Sequence, residues 1–269
     1  MNGTAAAPVF KLGRRPMVAP KMMMKFGDFQ KKSFPTPPPS GDYTPKAMAA
    51  LKRMYENDTY GDCVPAWMAH AIGVFTGNAT GTPALFTDEQ ILQMYSAIGG
   101  FDPNDPQNTD NGCDENTALG YWMNTGFLGH KIQGMLSVDA TNWAECQDAV
   151  WLFENLMFGI GLPDAYVNPF PAASGFVWSV AGPAVPSNGH CFGSAKWGPE
   201  GLGISTWAME GTMTPDAVAA YAVNSAGGQL FTVITQELLD RATQRAPNGV
   251  QWADLVAYFN AMGGNLKAA

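Results

Sequence analysis

The run CVPAWMAHAIGVF, residues 63–75, constrains the fold more than any other part of this 269-residue chain. At helical spacing it has no polar face. Ala66, Trp67, Met68, Ala69, Ala71 and Ile72 surround the axis, and a helix apolar all round has to lie inside a protein. Pro65 suits a first turn, where no intrahelical amide donor is needed, and Gly77 is the predicted stop. Such a helix needs cover on every side. The chain can supply it, with 46% apolar and 12% aromatic residues against 14% charged. Its length allows one large domain or two small ones. The richest apolar run, WLFENLMFGIGLP, carries Glu154 and Asn155 and is too short for a membrane span, so none is expected.

The rest of the chain divides by periodicity. AMAALKRMYEN is a short helical segment closed by the turn at Asp58–Gly61. TDEQILQMYSAIG starts at Thr87 with Gln90 three residues on, the capping-box spacing. FDPNDPQNTDNGCDEN is a polar, turn-rich loop whose spacing matches no EF-hand. NTALGYWMNTG and NWAECQDAVWLFENL are predicted helices, KIQGMLSV and MFGIGLPDAY predicted strands. From Phe176 the pattern changes: GFVWSV, GHCFGSAKW and GLGISTWA are short runs split by glycines and predict an antiparallel sheet. A helix capped by Thr214, the strand QLFTVIT and two closing helices complete the chain. The order is a helical half over 46–160, a sheet half over 161–235 and C-terminal helices over 236–269. That is an α+β pattern rather than alternating βαβ.

Charge is segregated. The formal net charge is -8, but residues 1–53 hold ten Lys/Arg against two Asp, and residues 54–269 hold five against twenty-one Asp/Glu. Residues 1–45 read as an extended basic arm. Its prolines favour an open path, while Val18, Met22, Met23, Met24, Phe26, Phe29 and Phe34 are too many apolar groups for a plain linker. The arm is expected to dock on its own body or on a neighbouring protein subunit. Lys11, Arg14, Arg15, Lys21, Lys25, Lys31 and Lys32 could add local nucleic-acid contact. Arg14, Arg15, Lys21 and Lys25 interrupt any signal-peptide pattern. Four cysteines without a CxxC pair, and histidines only at 70, 130 and 190, predict free thiols in a reducing compartment and no metal or other cofactor.

Cys63 is the residue with the clearest chemical potential. A thiol in the first turn of a helix meets unsatisfied amide donors and the positive end of the dipole, which favour a thiolate. The bland alternative is a small buried hydrophobe. His190, opening a strand after Asn188-Gly189, is the candidate base; His70 lies two turns along the same helix. Cys191 should face away from the His190 ring, because neighbours on a strand point to opposite faces. Trp197, in the glycine-rich hairpin, is the tryptophan expected at a cleft.

The run YGDCVPAWMAHA resembles the nucleophile segment of papain-like cysteine peptidases. NGHC, residues 188–191, is similar to that family's histidine strand, and STWA places Trp207 where its shielding tryptophan would fall. DNGCDENTALGYW followed by TGFLGHKI looks like compact bacterial and phage-borne members. The resemblance implies a papain-like α+β fold in a single domain over 46–269, with the arm ahead of it. It implies Cys63 as nucleophile, His190 as base, and Asn57, where the family has Gln, as oxyanion donor. Ser205 takes the position of the orienting Asn, with Trp207 and Asp62 in support. The function implied is a thiol hydrolase acting on a peptide or isopeptide bond of a protein substrate through an acyl-enzyme. The arm supports another outcome: a papain-like structural subunit of a large assembly such as a phage virion. A propeptide over the cleft is a third reading of the arm. The expected location is the cytoplasm, or a virion.

Overall fold

The computed structural model describes residues 8–16, 24–30 and 36–268. The helices among them are α1 (Met48–Leu51), α2 (Cys63–Thr80), α3 (Asp88–Gly99), α4 (Pro106–Thr109), α5 (Glu115–Asn124), α6 (Trp143–Phe153), α7 (Asp164–Val167), α8 (Pro215–Tyr221), α9 (Gln236–Arg245) and α10 (Trp252–Ala261). The strands are β1 (Gly41–Asp42), β2 (Gly134–Ser137), β3 (Leu156–Gly161), β4 (Phe176–Trp178), β5 (Gly189–Gly198), β6 (Gly201–Thr206), β7 (Met209–Met213) and β8 (Gln229–Ile234). They form one sheet in the order β2-β8-β3-β5-β6-β7-β4, with β1 added to β5. All pairings are antiparallel except β4 with β7. The helical region precedes most of the sheet, so helices and strands are segregated as in an α+β fold. No helix among the described residues is long and apolar enough to cross a membrane.

Helix α2, apolar over most of its first thirteen residues, is central, as that composition demands. Fourteen of its residues are buried, and burying a side chain such as Ile72 contributes roughly 1.5–3 kcal/mol. It runs past Gly77 and stops at Gly81, which takes the left-handed C-cap conformation at φ 84°. Gly77 serves a different need: a Cβ there would lie 2.6 Å from the Lys46 carbonyl oxygen. The glycine permits close passage of a neighbouring chain.

The sheet separates two cores by simple alternation along β5. Cys191 and Ala195 face the core built around α2, and a Cβ at Gly193 would meet the Trp67 indole at 2.4 Å. Phe192 faces the other core, where it stacks on Phe158 at 4.9 Å with Trp178 and Trp207 nearby. Trp197 is buried rather than cleft-exposed, its indole N–H donating to the Pro38 carbonyl.

Among the described residues of the arm, two phenylalanines pack on the chain's own body. Phe26 and Phe29 are buried in a single 3-10 turn, edge-on to Phe153 and tilted against Tyr258. The Gln251 amide donates to the Phe29 carbonyl. Val18, Met22, Met23, Phe34, Lys21, Lys31 and Lys32 lie outside the described residues.

Candidate active site

The turn before α2 is held from below. Asp110 accepts hydrogen bonds from the Gly61 amide and the Tyr95 hydroxyl, both at 2.8 Å, and the Gly112 amide donates to that same hydroxyl at 2.6 Å. Lys11 of the arm reaches the other Asp110 oxygen at 3.2 Å. One carboxylate thus joins the turn before α2, the 110–113 loop and the arm.

Cys63 opens α2 and is fully buried. The backbone N–H groups of Cys191 and Gly13 donate toward its sulfur. His190, on β5, is buried too. Its Nε2 lies 2.7 Å from Thr206 Oγ1, and its ring stacks on Trp207 at 4.3 Å and 17°. Nδ1 has no hydrogen-bond partner among the described residues. No hydrogen bond therefore joins the Cys63 thiol to the His190 ring in this arrangement. Burial pushes the thiol up to about 12 and the imidazole down to about 3, because a dry site disfavours either charge. Both groups are neutral here.

Trp207 reaches the imidazole from a strained turn. It and Ala208 form the two-residue loop between β6 and β7, with φ of 49° and 56°. Hairpin loops of this kind favour Asn-Gly, so holding Trp-Ala there stores backbone strain beside the site.

The other sequence-designated residues fall around this centre unequally. Asn57 is buried, with its Oδ1 unpartnered among the described residues. Asp62 is buried directly before Cys63, and burial holds its carboxyl well above the usual carboxylate range. Ser205, read as the orienting group, instead lines a small cavity with Trp67, His70 and Gly193. Thr206 is the hydroxyl that meets His190. Neighbouring strand residues face opposite sides of a sheet, so a one-residue change in alignment exchanges the two.

The groove is filled by the arm itself. Residues 8–16 cross it directly over Cys63. The Arg14 amide donates to Gly189 O at 3.0 Å, the Arg15 amide to Cys113 O at 2.8 Å, and the Cys113 amide to Gly13 O at 2.9 Å. Gly13 sits between two glycines: a Cβ on it would lie 2.0 Å from Gly61 O, and one on Gly112 would lie 1.8 Å from Gly13 O. Phe10 covers the far side of Trp207, stacked at 4.8 Å and 11°. Cys63 and His190 are closed off by their own chain.

Solved structures share this architecture. Xylellain, a cysteine protease from Xylella fastidiosa, superposes with a TM-score of 0.63 at 12% identity, covering 87% of this chain and 99% of that one. The chain has the papain-like fold. The Amb a 11 cysteine protease of ragweed pollen in its proform gives 0.55 at 13% identity, over 76% of this chain and 67% of that one. Digestive procathepsin L 3 from the Tenebrio molitor larval midgut gives 0.56 at 11%, over 82% and 76%. No protein-family model matches the sequence, and no curated protein matches it. Within the papain-like fold, Cys63 heads the helix packed on the sheet, and His190 stands on the strand that this helix crosses.

Proposed function

We propose that the chain is a latent thiol hydrolase of papain-like fold, acting on a peptide or isopeptide bond and held inactive by residues 8–16. The observation that carries this reading is the passage of Gly13 over Cys63 through a gap that admits only glycine. The proforms among the structural neighbours are in keeping with it. In the open enzyme, His190 Nε2–H donates to Thr206 Oγ1, leaving the Nδ1 lone pair free to accept the Cys63 proton. The thiolate attacks the acyl carbon, the C–N bond breaks as the leaving amine takes the proton from His190, and water hydrolyses the thioester. The Cys63 backbone amide and the Asn57 side chain are the proposed oxyanion donors.

Replacing Gly13 by valine drives a side chain into Gly61 O and displaces the arm. Water then enters, and both shifted ionisations relax toward their ordinary values. A thiol-directed active-site probe at pH 7.5 is expected to label the Gly13→Val chain at least tenfold faster than the wild type. Labelling should vanish when Cys63→Ala is added. An unreactive Cys63 in the folded Gly13→Val chain would falsify the hydrolase reading. It would leave the second one, a papain-like structural subunit, which the missing Cys63–His190 hydrogen bond favours.

A further inference from the structure

We infer that Glu115 forms the floor of an arginine-selective substrate subsite, occupied in the latent chain by Arg14. The inference rests on the hydrolase reading for the word substrate, but its geometry stands apart from the chemistry of Cys63. Arg14 is strapped into the groove by its backbone, between Gly189 and Cys113. Its side chain descends to Glu115, with Nε donating to Oε1 at 2.5 Å and Nη1 donating to the Gly227 carbonyl at 2.8 Å. Both side chains are almost wholly buried, at 4% and 0% exposure.

The pocket is shaped for a flat cation. Gly159 on β3 forms its wall: a Cβ there would lie 1.9 Å from Glu115 Oε1 and 2.7 Å from Arg14 Nε. Gln229, paired with Gly159 across β3 and β8, is buried with both amide atoms unpartnered among the described residues. Arg14 Nη2 and Glu115 Oε2 are likewise unpartnered. The site therefore holds more hydrogen-bonding capacity than Arg14 uses.

Withdrawal of the arm removes the cation and leaves the Glu115 carboxylate in the wall of the groove without its counter-charge, a costly state. An incoming peptide that carries a guanidinium restores the pair, and the fork geometry of arginine suits the carboxylate and carbonyl acceptors better than the point charge of lysine. A neutral side chain restores nothing. The groove beside the pocket passes only glycine at the position of Gly13. The preferred ligand is thus a peptide with glycine next to arginine.

The test uses the full-length Gly13→Val chain and a fluorescein-labelled peptide of sequence Phe-Lys-Leu-Gly-Arg-Arg-Pro, followed by anisotropy. A second peptide carries leucine in place of its first arginine. The arginine peptide is expected to bind at least tenfold tighter than the leucine peptide. Glu115→Gln in the same chain should abolish that preference, bringing the two peptides to within about twofold of each other. If circular dichroism shows that Glu115→Gln unfolds the chain, Glu115→Asp, which keeps the charge but shortens its reach, is expected to weaken the preference. Equal binding of the two peptides, no binding of either, or a preference that survives loss or shortening of Glu115 would overturn the inference. Binding needs no turnover, so the two readings fail separately. Arginine preference without Cys63 labelling retains the subsite and removes the hydrolase; labelling without preference does the reverse.

Discussion

At the scale of single residues, the imidazole of His190 is defined by two neighbours, the Thr206 hydroxyl at its Nε2 and the Trp207 ring on its face. Under the proposed mechanism the hydroxyl fixes which nitrogen acts as base, so its loss should cost turnover rather than binding. In the opened Gly13→Val chain, Thr206→Val is expected to lower kcat roughly tenfold to a hundredfold with KM little changed. Ser205→Ala, on the opposite face, should stay within about twofold. A fluorogenic peptide assay on both variants measures the contrast. The sequence identified the neighbourhood of this contact but not its atom, because strand alternation is legible only once the register is known. His190 and Trp207, each singled out by its motif, are found stacked on one another. Thr206 was not singled out, since nothing in STWA says which hydroxyl faces the imidazole.

At the scale of elements, local signals were readable and long-range ones were not. The start of α3 is a complete capping box at Thr87 and Gln90, set within four residues and visible in the sequence. The end of α2 depends on what passes beside it. Gly77 looks like a stop but answers to the Lys46 carbonyl, while Gly81 is the true terminus. Likewise β7, with the partly polar sequence MEGTM, carries no clear alternation, and the parallel pairing of β4 with it has no local signature. The glycines of the helices offer a direct check. Gly120, inside α5, has open space where a Cβ would go, so Gly120→Ala should gain about 1 kcal/mol from helix propensity. Gly77→Ala gains the same propensity but meets a carbonyl, and overpacking costs about 1–3 kcal/mol. Thermal unfolding should show Tm raised by ~3 °C for the first and lowered or unchanged for the second.

At the scale of the whole molecule, the arm is part of the fold. Its 24–30 segment is seated over two buried acids of α6. Gln30 donates to Asp148 Oδ2 at 3.2 Å, and the Gly27 amide donates toward Glu145. Burial, with Glu145 nearby, pushes the Asp148 carboxyl up to about 8. The fold therefore accommodates its neutral form. That contribution is whole below pH 4, where the unfolded carboxyl is also protonated, and is lost as the pH rises through about 8. Asp148→Asn should leave Tm unchanged near pH 4 and raise it by roughly 5 °C at pH 8.5, as differential scanning calorimetry can measure. Of the apolar residues that set the arm apart in sequence, Phe26 and Phe29 are buried; the course of residues 8–16 rests on Gly13, Gly61 and Gly112 meeting in space, which no stretch of sequence displays.

The double attachment of the arm has a kinetic consequence. Residues 24–30 are seated on α6 and α10, and only seven positions in sequence separate them from the stretch over Cys63, so under the proposed latency that stretch acts as a tethered ligand. A short tether presents its ligand at an effective concentration in the millimolar range, whatever the dilution of the protein. The closed state is therefore self-restoring. Under the proposed latency, a free peptide occupies the groove only while it outcompetes that local concentration, and separating residues 8–16 from their anchor would remove the advantage.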